Sequence, residues 1–95
     1  MQAINFYNIK IGPSKSSNQV VVRGEIENKS GKNYNAVAIR IILFIKSTPI
    51  ANSVLVVNGL FNGMTKSFDK YIEGLRYDKV GKDIDRQELY VESTY

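Results

Sequence analysis

The chain has 95 residues, of which 43% are hydrophobic and 23% are charged, and its formal net charge at pH 7 is +4. A chain of this length can build one hydrophobic core, so we expect a single β-sandwich domain over residues 1–95. It contains neither cysteine nor histidine, which excludes disulfides, thiolate metal sites and catalysis by a thiol or an imidazole. The small positive surplus does not indicate a particular partner.

The N-terminal residues do not have the pattern of an export signal. Met1 to Ile11 lacks a basic start followed by an apolar block. The longest apolar run, Ile41 to Ile45, is far shorter than the roughly 20 residues of a transmembrane helix, so we expect no membrane-spanning segment. If Met1 is the native start, we expect a cytoplasmic protein. If the chain is a fragment of an exported protein, we expect an extracytoplasmic or cell-surface location.

Two strands are predicted in the first third of the chain. Ala3 to Ile11 alternates, but its apolar residues change phase, which indicates a bulge or a switch between sheets. Residues 12–18 combine a Gly-Pro pair with small polar residues and are predicted to form a surface loop. Gln19 to Glu27 alternates cleanly between apolar and polar residues, which predicts a half-buried strand. Turn formers at 28–33 would then reverse the chain.

The apolar stretch Val37 to Lys46 is predicted to be the central strand. Its odd positions up to Ile45 are all aliphatic, whereas its even positions mix small, apolar and charged side chains. Because successive side chains of a strand point to opposite faces, one face is expected to lie in the core. Such a strand needs neighbours on both edges and a second layer opposite.

Three further strands are predicted in the second half. Pro49 ends the central strand, and Ile50 to Val57 is too short and too β-branched for a good helix. Asn58-Gly59 and Asn62-Gly63 are two hairpin-type signals that would form a compact corner, with Leu60 or Phe61 at the core edge.

Thr65 to Ile72 is the next predicted strand, with a helical turn as the alternative because Lys66 and Lys70 are four residues apart, and Gly74 is expected to stop either one. The charge-dense segment 75–86 is predicted to be a mobile excursion. Its proposed anchors are Leu75, Tyr77, Val80 or Ile84. Gln87 to Ser93 alternates and would close a sheet. Six or seven short strands without an amphipathic helix predict an all-β sandwich, with a small open β-barrel as the alternative.

Val20 to Lys32, followed by Tyr34 and the central strand, resembles the FxLYD family of small prokaryotic domains. Gly24 to Asn28 fits that family's Gly-x-Val-x-Asn strand end, and Leu60 to Gly63 before Phe68 fits its later turn in spacing, without the proline. The name motif falls on Ile41 to Ile45. There Leu43 matches, Phe44 replaces tyrosine, and Ile41 and Ile45 depart from the motif.

The resemblance spans about Gln19 to Val91 and implies an immunoglobulin-like β-sandwich of six to seven mostly antiparallel strands. Members of the family are often found on exported or membrane-anchored proteins. The resemblance implies a generic accessory or interaction module and carries over no chemistry. The name-motif residues look structural, so no functional role is transferred to them.

Catalysis or metal binding would have to depend on carboxylates or on a Ser-Lys arrangement. Asp78, Asp83 and Asp85 could gather oxygens for a cation such as calcium. Basic residues lie among them, however, and their spacing matches no known calcium loop. We therefore expect no enzymatic activity, no metal and no cofactor, and we interpret the segment as solvated and self-paired.

Single-stranded nucleic-acid binding is the alternative function, because the chain is basic and holds six tyrosines. Such binders combine a positive groove with aromatic faces on which bases stack. The tyrosines are scattered along the sequence and most basic residues are interleaved with acids, so nucleic acid is the less favoured partner.

Protein contact is the favoured function. Arg40, Ile42, Phe44 and Lys46 share the even face of the central strand, so Ile42 and Phe44 would form an apolar patch rimmed by positive charge if nothing covers them. In the competing interpretation, residues 50–57 or 75–86 cover both side chains. Edge strands offer a second route, by backbone pairing with an incoming chain. The expected molecule is a monomer or a weak dimer.

Overall fold

The computed structural model describes residues 3–95. Met1 and Gln2 lie outside the described residues. The expected cellular location depends on Met1, so it also falls outside what the structure describes. Short connections join the strands, except before the last one, where helical turns intervene. The elements are β1 (Ile4–Pro13), β2 (Gln19–Asn28), β3 (Tyr34–Ile45), β4 (Thr48–Leu60), β5 (Thr65–Arg76), α1 (Tyr77–Val80), a 3-10 turn (Gly81–Asp83) and β6 (Arg86–Thr94).

The six strands form two antiparallel sheets of three strands each. Sheet A has the order β1-β2-β5, and sheet B has the order β4-β3-β6. In the lettering of immunoglobulin-like sandwiches, these are strands A-B-E and C′-C-F. The described strands therefore form an all-β sandwich of this type rather than a barrel.

The core lies between the sheets and draws on both of them. A fully buried Val, Leu, Ile or Phe side chain stabilises the fold by about 1.5–3 kcal/mol, so this cluster supplies most of the driving force for folding. Its members are Ile4, Val20, Val22, Ile26, Phe68 and Ile72 from sheet A, and Val37, Ile39, Ile41, Leu43, Val57 and Leu60 from sheet B.

β3 is the central strand of sheet B, as the sequence predicts. β4 and β6 pair with its two edges, and sheet A lies across one face. The odd positions from Val37 to Leu43 are completely buried, whereas Arg40 and Ile42 keep partial exposure. Alternation along the strand thus decides which side chains enter the core.

The phase change predicted in the first strand is a β-bulge. The register between β1 and β2 shifts between Tyr7 and Lys10, and Asn8 has a φ of 54°. Asparagine visits this region more readily than most residues because its short side chain can form local hydrogen bonds. The bulge lets Ile9 pack against the core, while the amide of Asn8 donates to Glu25 at 2.7 Å.

Several predicted breaks in the second half are wrong. Asn58-Gly59 does not turn the chain, since β4 continues to Leu60 with Gly59 at a φ of 66°, and Gly74 bends β5 without ending it. Pairing with the neighbouring strand carries each strand through a residue that locally favours a turn. The reversal occurs at 61–64, and Leu60, not the exposed Phe61, enters the core.

The 75–86 segment is more ordered than an irregular loop. It begins as the end of β5 and continues through α1 and the 3-10 turn into β6. All of its proposed anchors pack against the core: Leu75, Tyr77, Val80 and Ile84. The segment therefore closes one end of the sandwich while it carries the chain from sheet A to sheet B.

At the end where β2 leads into β3, the buried amide of Asn28 joins two connections. Its Nδ2 donates to the carbonyl oxygens of Lys32 at 2.8 Å and Leu60 at 2.9 Å. Its Oδ1 accepts from the backbone N–H and the hydroxyl of Ser30 at 2.9 and 2.7 Å. Asn28 is completely buried, and these bonds satisfy both of its polar atoms. It therefore fastens the turn after β2 to the end of β4.

Candidate protein-contact surface

The outer face of sheet B carries most of the predicted contact residues. Arg40, Ile42 and Phe44 alternate with the core residues of β3 and so lie in one row on this face. Lys46 lies in the turn after β3 with a φ of 56°, and its backbone N–H donates to the carboxylate of Asp85 at 3.0 and 3.1 Å. The structure brings three of the four residues together and places the fourth beyond the end of the row.

Phe44 is covered rather than open. It is only 8% exposed, and the guanidinium carbon of Arg86 lies 3.9 Å from the centroid of its ring. Pro49 is its partner on β4. A cation over an aromatic face stabilises by about 0.5–1 kcal/mol at an exposed site. Phe44 is therefore covered by Arg86, the last residue of the 75–86 segment, as in the competing interpretation.

The side chain of Arg40, on the middle strand of sheet B, forms hydrogen bonds to both neighbouring strands. Nε and Nη2 donate to Oε1 of Glu92 at 2.9 and 2.6 Å, and Nη1 donates to Oδ1 of Asn52 at 2.7 Å. The Arg40 side chain is 26% exposed and that of Glu92 38%, so water weakens the ion pair and its net contribution is about 0–1 kcal/mol. The bonds hold these polar groups in fixed positions at the middle of the face.

Two residues outside the predicted patch add exposed apolar surface to this face. Val56 of β4 lies opposite Ala38, and Tyr90 of β6 lies opposite Arg40. They are 50% and 47% exposed. Together with the half-buried Ile42 and Val54, they form what we call the outer-face patch. The alternation within Gln87–Ser93 is the only sequence signal for the orientation of either residue, and it does not reveal that the two flank β3 on one face.

The outer face of sheet A has a different chemistry. Cross-strand neighbours there are mostly charged or polar, and they border a shallow cleft of about 380 Å³. Opposite charges meet on its walls where Arg23 Nε lies 3.8 Å from Oδ1 of Asp69, and the neutral amide of Asn8 donates to Glu25. The cleft residues are Asn8, Lys10, Arg23, Gly24, Glu25, Ser67, Phe68 and Asp69. This mixture of charges indicates neither an anion site nor a cation site.

The acidic residues of the 75–86 segment point to different partners. Asp78 pairs with Arg76 at 3.0 Å, Asp85 accepts the backbone N–H of Lys46, and Asp83 belongs to the 3-10 turn. Within residues 3–95, no three acidic side chains are grouped so that they could hold a metal ion. The same described range contains no helix long and apolar enough to cross a membrane.

The exposed tyrosines do not form a row. Tyr7 and Tyr71 lie on different strands of sheet A, beside Glu25 and Val21 respectively, whereas Tyr90 lies on sheet B. Stacking of successive bases needs aromatic faces that follow a positive groove. This distribution does not provide such a surface.

Tyr7 is predicted to lose its proton at higher pH than an ordinary tyrosine. Its hydroxyl donates to Oε1 of Glu27 at 3.0 Å. This hydrogen bond raises the pKa of Tyr7 most, and desolvation and the negative charge of Glu27 raise it further. Because the folded pKa lies above the unfolded one, the stabilisation is complete below the unfolded pKa and is lost as pH rises through the folded pKa.

An ultraviolet titration of tyrosinate absorbance tests this prediction. Tyr7→Phe should remove a component at the alkaline end of the curve, and Glu27→Gln should move that component to lower pH because it removes the carboxylate. An alkaline end that is identical in the wild type and in both variants would contradict the assignment.

No protein-family model, curated protein sequence or solved structure matches this chain. Function therefore has to be inferred from the chemistry of the two outer faces. Of the two outer faces, that of sheet A is mostly charged or polar, whereas that of sheet B carries exposed apolar side chains on both sides of Arg40.

Proposed function

We propose that this domain is a non-enzymatic interaction module that binds protein through the outer-face patch of sheet B. It would serve as an accessory part of a larger prokaryotic protein or assembly. The supporting observation is the half-exposure of Val56 and Tyr90 on the outer face of sheet B, on either side of Arg40 and its hydrogen-bond partners. Exposed apolar side chains grouped on one face are typical of protein-contact sites, and tyrosine and arginine are enriched in them.

The polar groups that lie among and beside the patch residues suit this face to the role. Arg40 is held by Glu92 and Asn52, and Arg86 lies over Phe44 and within 3.3 Å of Glu88. Side chains that are already held in place lose less conformational entropy when a partner binds. These polar groups can therefore exclude partners of the wrong charge pattern without a large cost in conformational entropy.

The proposal includes membership of the FxLYD family, and the matched residues support it as a folding pattern. A Cβ atom at Gly24 would collide with the side chains of Ile9 and Phe68, and Asn28 holds the buried network described above. Leu43 is a core residue. The residues that match the family thus have structural roles here, and the residues proposed to bind a partner lie outside the family's sequence pattern.

Site-specific photocrosslinking tests the proposed surface. Benzoylphenylalanine in place of Tyr90 should form an adduct with a protein partner in cells of the native host. The same substitution at Tyr71 is the matched control, because Tyr71 is also a tyrosine that is 47% exposed but lies on sheet A. The adduct should come from position 90 alone.

The captured protein must then bind in purified form. We expect Val56→Asp to weaken its affinity at least about tenfold, which corresponds to about 1.4 kcal/mol, while circular dichroism remains that of the wild type. Equal adducts from positions 90 and 71, or unchanged affinity of Val56→Asp, would refute the proposed surface.

A further inference from the structure

The free edge of β6 is a second feature of sheet B that can recruit another chain. β6 pairs with β3 along one edge, and no other strand among residues 3–95 pairs with its opposite edge. An unpaired strand edge presents a row of N–H and C=O groups that can accept a further strand.

The edge strands β1, β4 and β5 all carry features that discourage such pairing. β1 has the bulge at Asn8 and ends in Pro13, and β4 contains Pro49 beside a register shift. On β5, Lys66 and Lys70 lie opposite Ile26 and Val22, so charged side chains emerge on the core-facing side of that edge. Prolines, bulges and inward-pointing charges are known protections of sheet edges.

β6 has none of these features between Arg86 and Val91. This stretch contains no proline or glycine, its register with β3 is regular, and its core-facing side chains are Gln87, Leu89 and Val91. The first irregularity is the extra residue at Glu92. A strand added here must place its own core-facing side chains next to Leu89 and Val91, because residues opposite each other lie on the same side of a sheet.

We propose that two copies of this chain associate by antiparallel pairing of β6 with β6, centred on Leu89. In this register, Arg86 of each copy lies opposite Glu92 of the other. Centring on Glu88 would oppose two glutamates, and centring on Tyr90 would oppose Glu88 and Glu92 twice; like charges directly opposite destabilise a sheet. Centring on Gln87 would pair only residues 86–88 of β6, and centring on Val91 would place the irregularity at Glu92 beside the axis. The charge pattern and the length of the regular stretch therefore favour a second copy as the occupant and Leu89 as the centre.

Glu92 can take part without giving up its contact with Arg40. Both Arg40 bonds reach Oε1, and no hydrogen bond or ion pair shown for the described residues involves Oε2. Arg86 is half exposed, and its ion pair with Glu88 is a surface contact at 3.3 Å. To reach Glu92 of the second copy, its guanidinium would exchange this surface ion pair and its contact with the ring of Phe44 for the new ion pair.

The dimer would join the two copies of sheet B into one continuous six-stranded sheet, with both outer-face patches on the same side. The inference is independent of the proposed function, since it depends on the strand edge and not on the face. A failure of the crosslinking experiment at Tyr90 would leave it standing, and a monomeric protein would leave the face proposal standing.

Single-cysteine variants test the register, because the chain has no cysteine of its own. In the proposed dimer, position 89 faces its own copy on the symmetry axis, at a spacing that a disulfide can bridge. Under mild oxidation, Leu89→Cys should form disulfide-linked dimers much faster than Val91→Cys, whose partner would be Gln87. Equal rates at positions 89 and 91 would overturn the register.

Measuring reversible association tests the dimer itself without a substitution at Leu89. Sedimentation velocity of the wild type should shift from monomer towards dimer between about 10 µM and about 1 mM. Gln87→Lys adds an inward-pointing charge to this edge, as on β5, and should raise the dissociation constant at least about tenfold. Gln19→Lys on sheet A is the control and should leave it unchanged. A wild type that stays monomeric over this range would overturn the proposal.

Discussion

Ile41→Ala is expected to lower the free energy of unfolding by about 3 kcal/mol. Ile41 is completely buried on the core-facing side of β3, and β4 and β6 hold the backbone on both sides. Close-packed neighbours cannot collapse fully into the space that the lost atoms leave, so a cavity cost adds to the lost burial. A domain of this size has a total stability of only about 5–15 kcal/mol, so the loss is a large fraction of it.

Ile42→Ala is the matched control, since it makes the same substitution one residue further on and on the opposite face. Ile42 is only partly buried, and we expect a loss of less than about 1 kcal/mol. Urea unfolding followed by circular dichroism gives both values from the midpoints and slopes. Equal losses in the two variants would contradict the division of β3 into a core face and an outer face.

Asn28→Ala is expected to lower the free energy of unfolding by about 3 kcal/mol. It removes both Nδ2 bonds to the carbonyl oxygens of Lys32 and Leu60, and the Oδ1 acceptor of Ser30. A buried polar group left without a partner costs about 1–3 kcal/mol, and the buried bond to Leu60 lies inside the protein, where water cannot replace it easily.

The matched control is Asn35→Ala. Asn35 is exposed at the start of β3, so its substitution should change the stability by less than about 0.5 kcal/mol.

Asn28→Asp separates the effect of side-chain shape from the effect of hydrogen bonding. It keeps the size of the side chain but turns the Nδ2 donor into an acceptor that faces two carbonyl oxygens, so we expect it to be at least as damaging as alanine. Thermal melts of all three variants supply the comparison. An Asn28→Asp variant as stable as the wild type would contradict the hydrogen-bond network of Asn28.

These effects bear on the proposed function because the core residues and the proposed contact residues lie on opposite faces of sheet B. Ile39 and Ile41 are core residues, whereas Val56 and Tyr90 belong to the outer-face patch. Phe44 does not separate the two effects, because it is nearly buried beneath Arg86. Substitutions at Val56 and Tyr90 therefore test binding with little effect on the fold.

Local patterns predicted the strands of the first half well. The alternation of Gln19–Glu27 and of Val37–Lys46 identified β2 and β3, and the phase change before Ile11 identified the bulge in β1. Side-chain orientation in a strand follows from the backbone of that strand alone, so a single sequence carries this information. The same logic placed Ile39 and Ile41 in the core.

Turn signals in the second half were less reliable. Gly59 and Gly74 both adopt positive φ, as glycine readily does, but they do so inside β4 and β5. Whether a glycine ends a strand depends on whether a neighbouring strand continues to offer hydrogen bonds beyond it. That neighbour is β3 for Gly59 and β2 for Gly74, and the local sequence does not contain this information.

By itself, the sequence determined that this protein is built from alternating strands with one aliphatic face around Val37 to Ile45, because alternation is a local property of the chain. Only the tertiary structure decided what lies on the other face. Arg86 covers Phe44, Glu92 binds Arg40, and Val56 and Tyr90 come to lie on either side of β3, opposite Ala38 and Arg40, because β4 and β6 pair with β3 in one particular register. Adjacency of this kind comes from the pairing of distant strands, and so the candidate contact surface emerged from the fold.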